Sequence, residues 1–90
     1  MKRMIQVVMD GIRDADMLAD YAEEAREHGH EKHAMWFHMR AKERLAALKR
    51  DWSEVDSELG LRKHGEELVR CMTHHIDNEI ERVKARIEQM

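Results

Sequence analysis

The chain has 90 residues and a mass of 10.8 kDa, which leaves room for one small domain over residues 1–90. Charged residues make up 39% of it, with 16 Lys+Arg against 19 Asp+Glu, so the net charge of −3 comes from a dense and nearly balanced mixture of signs. That balance argues against a nucleic-acid binder held by bulk charge. Proline is absent, and no apolar run approaches the roughly 18 residues a membrane-spanning helix needs, so a soluble helical chain without a membrane role is expected.

The opening Met1-Lys2-Arg3 is followed by no uninterrupted apolar region and no small-residue cleavage site, which argues against a secretory signal. A single cysteine allows no internal disulfide, and a cytoplasmic location is the expectation. Leu, Ile, Val and Phe together number 17, few enough for a charged chain to be suspected of disorder. Eight methionines and two tryptophans make up the deficit, since methionine both favours helix and fills cores. Such a small Met-rich core predicts marginal stability alone and self-association as its remedy.

In the first segment Met4, Val8, Gly11, Ala15, Leu18, Ala22 and Ala25 recur at spacings of three and four, one stripe of a helix over 2–28. Ile5, Val7, Met9 and Ile12 widen its apolar face beyond that stripe. His28-Gly29 is the stop signal, because glycine accepts the left-handed backbone that closes a helix and histidine suits the negative end of its dipole. The second segment, 31–59, carries Ala34, His38, Ala41, Leu45, Leu48, Trp52, Val55 and Leu59 in an unbroken heptad rhythm. Asp51-Trp52-Ser53-Glu54 reads as a capping box that could start a new helix. The uninterrupted heptad across it favours one continuous helix ending at Gly60. A third segment, 61–90, runs through Leu61, Leu68, Val69, Met72, Ile76, Ile80, Val83, Ile87 and Met90.

Three helices of similar length with short joints predict an all-α, up-down-up antiparallel three-helix bundle, completed by dimerisation. Charge supports the first hairpin: Asp10, Asp14, Asp16 and Asp20 crowd the first helix, and Arg40, Lys42, Arg44, Lys49 and Arg50 the second. A fold-back at Gly29 sets Asp10 to Asp16 opposite Lys42 to Lys49, so the basic cluster is expected to pair with its neighbour and not with nucleic acid.

The seven histidines raise the question of metal. Cys71, His75 and Glu79 stand at i, i+4 and i+8 with His64 seven residues before Cys71, and thiolate, imidazole and carboxylate on one stripe suit zinc. Residues eight apart are about 12 Å apart along the axis, too far for one ion without a partner helix, and Cys71 beside the Met72 core row reads rather as a small buried apolar residue. His28, His30, His33, Glu24, Glu27 and Glu31 cluster at the first turn, where they read as ordinary polar residues of a helix end. His38 occupies a core position, where a neutral ring bonded to Tyr21 or Asp20 at the matching height is expected, with stability falling as acid charges it.

Asp10, Asp14, Met17, Tyr21, Glu24 and His28 share a further stripe, and with the tight turn and second long helix they make residues 10–50 similar to half of a ferritin-like bundle. That resemblance implies iron ligands of the Glu and Glu-x-x-His type. Glu43 is followed three residues later by Ala46, so the second motif is missing. The run Ala25, Gly29, Ala34, His38, Ala41 is similar to the small-residue pattern of a tetratricopeptide hairpin, without its repeat.

Serine occurs only at Ser53 and Ser57, no Gly-rich phosphate loop exists, and Cys71 has no oxyanion hole beside it in sequence, so catalysis is not expected. Met35-Trp36-Phe37-His38-Met39 is apolar nearly all round the helix, whereas its own fold needs one stripe. Met35, Trp36, Phe37 and Met39 are therefore the candidate interaction face of a non-enzymatic recognition or regulatory module. A homodimer is its expected assembly and another protein its further partner. By analogy, a chain of this kind suits a partner-blocking bacterial or phage-encoded accessory factor. The alternative is a metal-binding bundle, with zinc or iron, using His64, Cys71, His75 and Glu79.

Overall fold

A computed structural model describes residues 2–59 and 67–90, and these form three helices: α1 (Lys2–Glu27), α2 (Glu31–Leu59) and α3 (Glu67–Glu88). The fold is all-α. The principal extents are 49 × 18 × 17 Å, the dimensions of long helices lying side by side.

The first turn forms as the glycine requires. Gly29 has φ +77°, its N–H bonds the carbonyl of Arg26 at 3.1 Å, and the N–H of His30 reaches back to Ala25 at 2.8 Å. This pair of bonds is the Schellman closure, which satisfies carbonyls that the end of α1 would otherwise leave open. The carbonyl of His30 then accepts the N–H of Ala34 at 2.9 Å and starts α2.

Helix α2 runs unbroken through Asp51-Trp52-Ser53-Glu54. The local capping signal loses because Trp52 and Val55, 5% and 4% exposed, continue the buried row of Ala41, Leu45 and Leu48. Ending the helix at Arg50 would pull both out of the core, a loss of several kcal/mol against about 1 kcal/mol for a cap. The joint expected at Gly60, with Leu61 and His64, lies outside the described residues.

The core joins Val8, Ile12, Ala15 and Ala19 of α1 to Ala41, Leu45, Leu48, Trp52 and Val55 of α2 and to Ile76, Ile80, Val83 and Ile87 of α3. Ile5 and Ile12, read from sequence as residues outside the seam, are buried. A helix with two neighbours needs a second apolar row, and Ile5, Ile12 and Ala19 supply it. Val7 and Met9 do stay exposed. At Gly11 the two long helices come close, since a Cβ there would stand 3.1 Å from Leu48 Cδ1. Thr73 is the one polar residue buried among the described ones, and its hydroxyl donates to the Arg70 carbonyl at 2.9 Å.

Pairs that meet across the helices set the register. Asp14 meets Arg44, and the ring of Tyr21 meets that of Phe37 at a tilt, so α1 and α2 pair in opposite order from the turn. Asp16 and Asp20 meet Arg82 and Arg86 in the same order along the chain.

Candidate functional site

The candidate interaction face is the side of α2 opposite its core row. Met35, Trp36 and Met39 are 64%, 52% and 60% exposed there, among the described residues the most exposed group of large apolar side chains on one helix. Phe37 separates from them: at 100° per residue it turns toward α1, is half-buried, and its ring lies 5.4 Å from that of Tyr21. Phe37 also meets Trp36 edge-on at 5.2 Å, so it braces the indole from behind. The guanidinium of Arg40 sits 5.1 Å from the Trp36 ring centre and Arg40 bonds Glu43 at 3.0 Å. A shallow groove lined by Leu18, Trp36, Arg40, Glu43, Arg44 and Ala47 runs beside the indole. Tyr21 of α1, 44% exposed, adjoins this face through Phe37, and Met17, 43% exposed, stands one turn before Tyr21 on the same helix. Sequence reasoning did not join these two to the face, because helix periodicity says nothing about which stripes of two helices adjoin.

The acidic residues of α1 divide between two neighbours. Asp14 meets Arg44 of α2 at 3.4 Å, in the expected hairpin sense. Asp16 and Asp20, expected to balance the basic cluster of α2, turn to α3 instead. Arg82 reaches Asp16 at 2.6 Å and Glu79 at 2.5 Å, while Arg86 engages Asp16, Asp20 and Glu23. Burial would raise the Asp16 pKa, but hydrogen bonds and charge from Arg82 and then Arg86 outweigh it and hold the carboxyl below its ordinary value. Both guanidiniums are pushed up by their carboxylate partners. The signal was present as two pairs, each spaced by four, on helices whose pairing order the sequence left open.

His38 also has a partner other than the expected one. Its Nε2 lies 2.9 Å from the carbonyl oxygen of Ile87, and Tyr21 and Asp20 are engaged elsewhere. Trp52 Nε1 donates to Asp77 Oδ1 at 2.8 Å, a tie between α2 and α3 that the heptad pattern did not reveal.

Of the candidate metal ligands, Cys71 is exposed and not the buried apolar residue expected beside Met72, and His75 Nε2 stands 4.0 Å from Glu79 Oε1. The other oxygen of Glu79 is held by Arg82. His64 lies outside the described residues. Among the described residues no group of three or more His, Cys, Asp or Glu side chains is placed to hold a metal ion. His30 and His33 at the first turn have ring centres 5.7 Å apart. Nor, among the described residues, is any helix long and apolar enough to cross a membrane. Compared with known proteins, the chain matches no family model, no curated protein and no solved structure.

Proposed function

We propose that this chain is a small non-enzymatic recognition module, an up-down-up antiparallel bundle that associates with itself through the exposed face of α2. The observation that carries the reading is the exposure of Met35, Trp36 and Met39 on the side away from the core, with Phe37 bracing the indole. Large aromatic and thioether side chains clustered in water are what protein interfaces use as anchors. Charged neighbours set orientation and exclude wrong partners. The pairing order of the helices supports the bundle: Asp14–Arg44 with Tyr21–Phe37, and His38–Ile87 with Trp52–Asp77, run in opposite order, and Asp16–Arg82 with Asp20–Arg86 in the same order. The second reading, a zinc site at Cys71, His75 and Glu79, rests on the approach of His75 to Glu79 and needs a further ligand.

Size exclusion coupled to light scattering on the untagged protein tests this, with metal analysis of the same peak. The expected result is a metal-free species heavier than the 10.8 kDa chain, reduced to a monomer of unchanged helicity by Trp36→Asp. Association that Trp36→Asp leaves untouched overturns the role of this face. Stoichiometric zinc moves the function to Cys71 and the histidines.

A further inference from the structure

The exposed face of α2 has a symmetry that selects its occupant. Lys32 and Glu43 are both exposed and stand 11 residues apart, three turns, so they lie on one line of the helix about 16 Å apart. Met35, Trp36 and Met39 lie between them. The midpoint of Lys32 and Glu43 is the midpoint of Trp36 and Met39 and also of Met35 and Arg40, between Phe37 and His38. A cation at one end of an apolar patch and an anion at the same distance beyond its other end are complementary to a copy of themselves turned end for end. A parallel copy would oppose lysine to lysine and glutamate to glutamate.

We propose that the partner of this face is a second copy of the chain, docked isologously with the two α2 helices antiparallel and the two-fold axis between the two faces, level with the midpoint of Trp36 and Met39. This rests on the reading of the α2 face as the self-association surface. In that register Trp36 opposes the partner's Met39, and Lys32 meets the partner's Glu43 at both edges. Glu43 already holds Arg40 at 3.0 Å, so the incoming ammonium completes a three-charge group at each edge. Beyond the pairs, the turn at Gly29 meets Ala46 and Ala47 of the other copy, two side chains small enough to receive it. The overlap covers residues 31–44 of each helix, roughly 21 Å, too short for a tight obligate interface. A reversible dimer with a Kd of about 1–100 µM follows.

Sedimentation equilibrium at low and high salt on the full chain decides it, comparing wild type with Lys32→Glu, Glu43→Lys and the double variant. Circular dichroism checks that each is folded. Each single change opposes like charges at both edges and weakens the dimer about tenfold at low salt, less at high salt. The double variant restores the pairs in reverse and recovers wild-type affinity to within about threefold. A wild-type chain that stays monomeric at about 1 mM overturns the self-association reading and this register with it. A dimer that depends on Trp36 but ignores the single swaps, or whose double variant fails to recover while folded, overturns the register alone.

Discussion

The imidazole of His38, in the first third of the bundle's second helix, meets the carbonyl oxygen of Ile87, 49 positions later, at 2.9 Å. Because a carbonyl accepts, Nε2 carries the hydrogen and donates it. Ile87 belongs to the last turn of α3, whose carbonyls have no intrahelical partners, although the N–H of Met90 also reaches it at 3.3 Å. A polar residue at a heptad core position therefore acts as a C-cap for another helix.

Replacing His38 with leucine keeps the volume and removes that donor. The expected loss is about 1 kcal/mol of stability, with the end of α3 opening more readily. Urea unfolding measures the first, and hydrogen exchange at residues 87–90 measures the second. An unchanged midpoint and unchanged exchange would mean that the bond contributes nothing.

Trp52 is 5% exposed with its N–H bonded to Asp77, whereas Trp36 is 52% exposed. Trp52→Phe is expected to cost about 1 kcal/mol through the lost hydrogen bond, and Trp52→Ala about 3–5 kcal/mol through the cavity. At protein concentrations well below the Kd of the dimer, iodide should quench the fluorescence left in Trp52→Phe far more than that left in Trp36→Phe. Equal quenching of the two would contradict the burial difference.

Asp16 makes stability pH-dependent in one direction. Its folded pKa lies below the ordinary aspartate value because the hydrogen bonds and charges of Arg82 and Arg86 outweigh its burial. As pH falls, the unfolded chain takes up that proton first, so the stabilisation is complete above about pH 5 and is lost as pH drops through the ordinary value toward the folded one. Asp16→Asn should flatten this acid limb and remove about 1 kcal/mol at pH 7 in low salt. Denaturant midpoints between pH 3 and pH 7 read both effects. An Asn variant with the same acid limb as wild type would place the dependence on other carboxylates.

Gly29→Ala isolates backbone strain. An added Cβ would meet nothing within 4 Å, yet φ is +77°, a region that L side chains enter at a cost of about 1–2 kcal/mol. Thermal unfolding should show that loss, and Gly29→Asn a smaller one, because asparagine tolerates the left-handed region better. If alanine proved neutral, the Schellman closure would not be limiting.

Much of the fold was legible in the chain itself. The stop at Gly29, the heptad row from Ala34 to Val55 and the row from Met72 to Ile87 needed only spacing, since apolar residues every three or four positions must share one face of a helix. The exposure of Met35, Trp36 and Met39 was readable in the same way, as apolar surface in excess of one seam. Tertiary structure alone decided the polar partners. Asp16 could have paired with α2 or α3, His38 with Tyr21, Asp20 or a carbonyl, and Ile5 and Ile12 could have stayed in water or formed a second core row. The physical reason is that periodicity is a property of one helix, while a hydrogen bond or ion pair needs the rotation and height of two.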